Sequence, residues 1–174
     1  MRRTASALAI IILALAIGTP AASADAVVAR VTTGSFDGTS IYELFVEECP
    51  FVHQVFTGTY DPDRRGVRGG TYEVDVCVDQ PNADFNYPFS GGFEVVTGHG
   101  LSLTGTVTGL FNPNMPIATI DATLTMTGSH GSPRPVRGTI TITGTSDQHD
   151  PEAPESGSVD RGTFSADLRR GAPT

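Results

Sequence analysis

The feature that most constrains the fold of this chain is a period-two alternation of apolar and polar residues. One example is Ile117–Thr127, where apolar residues occupy every second position and threonine or aspartate fills the positions between them. Successive side chains of a strand point to opposite faces of a sheet, so this pattern is typical of a strand with one buried face. The pattern is clearest over Thr71–Asp79, where Tyr72 and three valines alternate with acids, threonine and cysteine.

Other segments show the same alternation or a strand-like composition. They are Val136–Thr145, Thr163–Leu168, Leu101–Leu110 and, with weaker patterns, Ala26–Thr33, Phe51–Tyr60 and Tyr87–Thr97. The segment Ile41–Val46 is ambiguous, because Ser40 and Glu43 have the spacing of a helix capping box. Its β-branched and aromatic residues favour a strand, which is the interpretation we prefer.

Turn-forming residues separate these segments, at Asp61–Gly66, Gln80–Asp84 and Asn112–Pro116. Glycines at the start of several strands are typical of the bulges and tight corners of a curved sheet. The polar stretch Ser146–Ser158 is expected to be a mobile, exposed connection. Eight or nine short strands without crossover helices predict an all-β fold, an antiparallel β-barrel of about eight strands, with a two-sheet β-sandwich as the alternative.

The first residues have the pattern of an export signal. Met1-Arg2-Arg3 is followed by the apolar run Ala7–Ile17 and by the small residues Ala22-Ser23-Ala24. The sequence therefore predicts a signal peptide over 1–24 and a single secreted β domain over 25–174, located outside the cell. The apolar run is too short for a stable membrane anchor, so we expect no membrane insertion.

The two cysteines and the charge narrow the chemistry further. Cys49 and Cys77 are the only cysteines, and an even number in an exported protein favours a disulfide over a thiol nucleophile or a metal pair. The formal net charge is −8, and loss of Arg2 and Arg3 with the signal peptide makes the remaining chain more acidic. Such a chain has no excess of positive charge with which to bind phosphates, so a nucleic-acid partner is not expected.

Metal and cofactor motifs are weak in this sequence. Asp61–Gly66 has a partial likeness to a calcium loop, but Arg65 stands at a ligand position and no glutamate follows, so a solvated turn is the better interpretation. The histidines lie on separate segments without metal-ligand spacing, at His53, His99, His130 and His149. We therefore predict neither a metal site nor a cofactor.

Catalytic motifs are equally weak. Glu47 and Glu48 would point to opposite faces of a strand, and Glu73 and Asp75 would share a solvated face. No Gly-x-Ser-x-Gly nucleophile motif occurs in the sequence. We therefore assign no catalytic residue and lean towards a protein that is not an enzyme.

A cluster of aromatic residues offers the best candidate for a binding surface. Tyr87, Phe89 and Phe93 fall on one face of a predicted strand, next to Phe85. Core packing is the usual role of such residues, but an incompletely filled barrel would make them cavity walls. The chain lacks tryptophan, the commonest platform for sugar stacking.

A short stretch between two predicted strands, Gly128–Gly138, is rich in glycine, proline and arginine. It resembles a segment of the dirigent and allene oxide cyclase-type barrels, in which a glycine-rich turn leads to an Arg-Gly at the start of a strand. The matching positions here are Gly128, Gly131, Arg134, Arg137 and Gly138. The resemblance implies an eight-stranded, calycin-like barrel, often oligomeric, with a central cavity for a hydrophobic small molecule.

Three functions are compatible with these observations. The first is a secreted, non-catalytic barrel that binds a small apolar ligand or a protein partner. The second is an enzyme or stereochemical guide of the cyclase or dirigent type, and the third is a structural protein of the cell exterior with a filled interior. An internal cavity above roughly 300 Å³ would favour the first two, and a fully packed interior would favour the third.

Overall fold

The computed structural model describes residues 30–44, 47–113, 117–132, 134–147 and 158–170. The predicted signal peptide over 1–24 lies outside these ranges. The described residues form eight strands: β1 (Arg30–Leu44), β2 (Val52–Pro62), β3 (Gly70–Val78), β4 (Tyr87–Thr97), β5 (Ser102–Asn112), β6 (Ile117–His130), β7 (Val136–Asp147) and β8 (Ser158–Arg170). Within the same ranges, no helix has the length and apolar character needed to cross a membrane.

Each strand pairs antiparallel with the next one in the chain, and β1 also pairs with β8. The sheet therefore closes on itself, which confirms the predicted eight-stranded antiparallel barrel over the sandwich alternative. Closure leaves the sheet without an unpaired edge. It also places every second residue of each strand inside a common interior.

The alternation that predicted the strands is also what fills the barrel. On β6, Ala118, Ile120 and Leu124 are buried and the intervening threonines are exposed. On β3, the predicted inner face is confirmed, because its valines are buried whereas Glu73 and Asp75 are exposed. Removing these apolar side chains from water is the main driving force for folding.

The first strand differs from its prediction, because β1 is one long strand where two were expected. The sequence predicts two separate strands, Ala26–Thr33 and Ile41–Val46, of which residues 26–29 and 45–46 lie beyond the described part of the chain. The residues between them continue the strand, with Gly34, Phe36 and Gly38 on the inner face. Glycine has no side chain, so it interrupts an apolar pattern without interrupting the strand.

Aromatic rings and glycines occupy the interior together. Gly144 and Gly162 are paired across β7 and β8. A Cβ atom on them would lie 2.7 Å and 2.6 Å, respectively, from carbons of the Phe36 ring. An eight-stranded barrel is only wide enough for side chains to fill it. Phe36 is itself paired with Gly162, so the two glycines provide the space in which its ring packs over the neighbouring strands β8 and β7.

The connection expected between Ser146 and Ser158 is shorter than predicted. Strand β7 continues through Ser146 to Asp147, and Ser146 is only 1% exposed. The expectation that Ser146 is exposed was therefore wrong, because the residue occupies an inner position of β7. Residues 148–157 are not among those described.

The predicted disulfide is present between Cys49 and Cys77. It joins the turn after β1 to the outer face of β3, and the two Cα atoms are 5.1 Å apart. On the same outer face, Nε2 of His53 lies 2.8 Å from Oδ1 of Asp75. The disulfide therefore ties a connection between strands to the wall of the barrel.

Replacement of both cysteines by serine tests the contribution of this bond. The disulfide closes a loop of 28 residues, so its loss should lower the free energy of unfolding by about 3–4 kcal/mol. Urea unfolding of the double variant and of the reduced wild-type protein should give similar, lowered midpoints. Equal midpoints for the variant and the oxidised wild-type protein would contradict the prediction.

A pair of glycine variants tests the packing of rings against glycines. Gly144→Ala places a methyl group against the ring of Phe36 and the carbonyl oxygen of Arg161, and it should destabilise the protein by about 1–3 kcal/mol. Gly92→Ala is the matched control, because a Cβ there would be 3.8 Å from its nearest neighbour. Its stability should be unchanged or raised by up to about 1 kcal/mol. Equal effects of the two substitutions in thermal unfolding would rule out this explanation.

Candidate functional site

The barrel interior contains a cavity of about 220 Å³. All eight strands contribute to its walls, which are mainly apolar. Pro62, the last residue of β2, and Val67, in the turn that follows, lie at its rim, and Val67 is 41% exposed. In the described part of the chain the cavity thus runs from a solvent-exposed rim into the core.

The volume sets a limit on what the cavity can hold. It is below the roughly 300 Å³ that marks the lower end of common ligand pockets. It is larger than an apolar cavity of about 150 Å³, which is sufficient to bind benzene. The interior is therefore incompletely filled, and the space suits a molecule of about eight to ten non-hydrogen atoms.

The structure separates the three aromatic residues that were predicted as cavity walls. Phe89 lines the cavity. Phe93 is buried but packs against Gly105, and it is not part of the cavity wall. Tyr87 is half-buried and stacks on Phe51, with ring centroids 5.8 Å apart, and it does not line the cavity either. Of the three predicted residues on β4, only Phe89 therefore belongs to the cavity wall.

A cluster of polar residues, which we call the polar cluster, lies inside the barrel. Three of its members, Ser40, Ser146 and Asp160, are each only 1% exposed, and it is completed by Gln54 and Ser158. Gln54 Nε2 donates to the Ser40 hydroxyl at 3.1 Å, and the Ser40 and Ser158 hydroxyls share a hydrogen bond. Ser158 in turn donates to Oδ1 of Asp160 at 3.4 Å. Asp160 also lines the cavity, so the polar cluster meets the apolar space at this residue.

The carboxyl group of Asp160 is only partly satisfied. Its Oδ2 atom is buried and has no hydrogen-bond partner among the described residues. Burial raises the pKa of this carboxyl, and the hydroxyls of Ser146, Ser40 and Ser158 offset the effect only in part. A buried acceptor without a donor is costly, and a site of this kind in a cavity calls for a functional explanation.

Tyr72 is the second incompletely satisfied group in the cavity wall. Its hydroxyl is buried without a hydrogen-bond partner in the described ranges. Its ring packs edge-on against Phe36, with ring centroids 6.0 Å apart. Burial raises the pKa of the Tyr72 phenol, and the charges of Asp160 and Asp37 raise it further, so the hydroxyl remains neutral and can donate.

Both residues could have been noticed in the sequence, but the prediction missed them. The inner pattern of β8 continues from Phe164 through Gly162 to Asp160, so a polar residue stands at an inner position of the strand. The predicted strand begins only at Thr163, and Gly162 and Asp160 carry no apolar side chain that would extend its pattern. Tyr72 belongs to the predicted apolar face of its strand, but alternation does not indicate whether its hydroxyl has a hydrogen-bond partner.

The other candidate residues do not come together. His53 pairs with Asp75 on the outer face, whereas His99 and His130 are exposed and His149 falls in the part not described. The ranges described contain no group of three histidine, cysteine, aspartate or glutamate residues that could hold a metal ion. Asp63 is joined to Thr33 by a side-chain hydrogen bond of 2.8 Å at the end of the barrel.

The acidic pair Glu47-Glu48 requires a correction. The expectation that they lie on a strand with opposite orientations was wrong, because both residues are in an exposed turn after β1. The disulfide at the adjacent Cys49 holds this turn against β3. The pair does not line the cavity.

The segment that carries the family resemblance lies away from the cavity. Gly128–Gly138 forms the end of β6, a turn and the start of β7, and none of its described residues lines the cavity. Ser129 Oγ accepts a hydrogen bond from the Val136 amide at 3.0 Å, and Gly131 has a φ of +82°. The described residues of this segment therefore shape a turn.

Comparison with known proteins found no matching family model, no matching curated protein and no matching solved structure. The site is therefore interpreted from its own geometry.

Replacement of Asp160 by asparagine tests the burial of its carboxyl group. A carboxyl pKa raised by folding stabilises the folded state below the unfolded pKa of about 3.9. This contribution is lost as the pH rises through the folded pKa. The stability of Asp160→Asn relative to the wild-type protein should therefore increase between pH 4 and pH 7, measured by urea unfolding. A constant difference across this range would show that folding does not perturb the carboxyl.

Proposed function

We propose that this protein is a secreted barrel that binds a small, mainly apolar molecule in its interior. The observation that carries the proposal is the cavity of about 220 Å³, walled by apolar side chains from all eight strands. Natural interiors are packed at close to crystal density, so a space of this size is unusual unless something occupies it. An apolar ligand would restore the contacts that the cavity walls lack.

The closed, disulfide-linked barrel supports a binding role outside the cell. The Cys49–Cys77 bond is compatible with an oxidising, extracellular location, and the signal-like segment over 1–24 agrees with it. A closed sheet provides a rigid container, because no strand edge is free to rearrange. A protein partner would instead use the outer surface, and the cavity favours a small ligand over such a partner.

A cyclase or dirigent-like activity is the second candidate, and one observation favours it. Asp160 and Tyr72 are ionisable groups with perturbed pKa values in one cavity, which is a frequent property of catalytic sites. A carboxyl with a raised pKa can act as a general acid. Binding remains our principal proposal because it needs only the cavity itself.

Titration with toluene tests ligand binding directly. Toluene fits the cavity in size and has no polar group, so wild-type protein should bind it saturably and show a higher unfolding temperature in its presence. Ala122 lies in the cavity wall. Ala122→Leu should fill part of the space and weaken toluene binding by about tenfold or more, measured by NMR chemical-shift titration.

The matched control is Thr123→Leu, on the outer face of the same strand. It introduces the same side chain outside the cavity, so its toluene affinity should equal that of the wild-type protein. Absence of saturable toluene binding to the wild-type protein would overturn the proposed function. Equal losses in both variants would show that the binding site is not the cavity.

A further inference from the structure

We propose that the bound molecule carries a single hydroxyl group, which bridges the Tyr72 hydroxyl and Oδ2 of Asp160. The inference rests on the proposed function and names the ligand class: a small neutral alcohol or phenol with an apolar body. It follows from the strand register, from the two unpaired polar atoms and from the charges of the cavity wall.

The register brings the two groups together across four strands. Asp160 on β8 is paired with Gly38 on β1, Gly38 is paired with Gly58 on β2, and Gly58 is paired with Tyr72 on β3. The two residues between Asp160 and Tyr72 are therefore both glycines. No inner side chain stands between the tyrosine and the aspartate along this row.

The tyrosine side chain uses the space that the glycines leave. A Cβ atom on Gly58 would lie 2.6 Å from the Tyr72 hydroxyl oxygen, and one on Gly38 would also clash with it. The phenol thus crosses the β2 backbone, and its hydroxyl lies over Gly38 of β1, the residue that is paired with Asp160 on β8. It ends close enough to Asp160 for the charge of that carboxyl to influence the phenol.

Both polar atoms remain unpaired although they belong to one cavity. Asp160 Oδ2 and the Tyr72 hydroxyl have no hydrogen-bond partners within the described residues, and they do not bond to each other. The other carboxyl oxygen of Asp160, Oδ1, already accepts a hydrogen bond from Ser158 of the polar cluster. One acceptor and one donor, both on residues that line the cavity, are therefore without partners.

The number of unpaired atoms and the charges of the cavity wall favour a hydroxyl group on the ligand over an ammonium or a carboxylate group. A ligand hydroxyl donates one hydrogen bond to Asp160 and accepts one from Tyr72, which satisfies both atoms. An ammonium group carries three donors and would leave at least one unsatisfied against apolar walls. A carboxylate would place a second negative charge beside Asp160, and no described residue of the cavity wall carries a positive charge.

Four probes of one skeleton test the assignment: toluene, benzyl alcohol, benzylamine and benzoate. In wild-type protein, benzyl alcohol should bind at least as tightly as toluene and more tightly than benzylamine or benzoate. The buried hydroxyl of benzyl alcohol would weaken its binding if the cavity offered no hydrogen-bond partners. Isothermal titration calorimetry gives the four dissociation constants.

Tyr72→Phe is the informative variant. It removes one partner of the ligand hydroxyl, so the ratio of the benzyl alcohol and toluene dissociation constants should rise roughly tenfold. The Tyr72 hydroxyl makes no hydrogen bond in the described structure, so the unliganded variant should unfold at a temperature no lower than that of the wild-type protein. Tyr60→Phe is the matched control in the same cavity wall, and its ratio should stay unchanged.

The outcomes separate this inference from the proposed function. If no probe binds the wild-type protein, the proposed function fails. If toluene binds but benzyl alcohol binds tenfold more weakly, or if Tyr72→Phe leaves the ratio unchanged, the cavity function stands and the hydroxyl assignment is overturned. Tighter binding of benzylamine or benzoate than of benzyl alcohol would also overturn it. Should Tyr72→Phe fail to fold, the four wild-type dissociation constants still decide the question.

Discussion

The pairing of β1 with β8 is the constraint on which the rest of the structure depends. It closes the sheet, and closure fixes the circumference of the barrel and therefore the volume of its interior. Every inner position must then be filled by a side chain of suitable size or leave a void. The long β1 makes this closure possible, because it pairs along its length with β2 on one side and with β8 on the other.

Glycine and aromatic residues distribute the interior volume unevenly. Where two glycines are paired, as at Gly144 and Gly162, a ring from another strand occupies the space. The same arrangement at Gly38 and Gly58 accommodates the phenol of Tyr72. Large rings placed over some positions leave other parts of the barrel less filled, and the cavity is the result. The glycines that shape the barrel wall are thus also responsible for the placement of a polar group in the cavity.

The polar cluster and the unpaired hydroxyl of Tyr72 differ in polarity from the rest of the interior, which is apolar. Apolar burial stabilises the fold, whereas a buried carboxyl oxygen and a buried hydroxyl without partners destabilise it. Residues that break a general folding rule in this way are expected at functional sites. Of the three buried side-chain atoms without a partner in the described residues, two belong to residues of one cavity wall, whereas the third, Asp167 Oδ1, does not. The cavity is therefore a better candidate site than the outer-face histidines or acids.

The sequence by itself determined the strands, their inner faces and the disulfide partners. Period-two alternation is a local property, so Ala118 and Leu124 could be assigned to the core without knowledge of the fold. The continuity of β1 was missed because Gly34 and Gly38 carry no side chains to mark the pattern. Only the tertiary structure decided which inner residues surround a cavity. Phe89 lines the cavity, whereas Tyr87 and Phe93 do not. Likewise, Asp160 and Tyr72 are 88 positions apart in the sequence, and they meet because barrel closure aligns β8 with β1, β2 and β3. Alternation specifies the face of the sheet to which each side chain points. Which side chains become neighbours depends on the register between strands, and closure of the whole sheet determines that register.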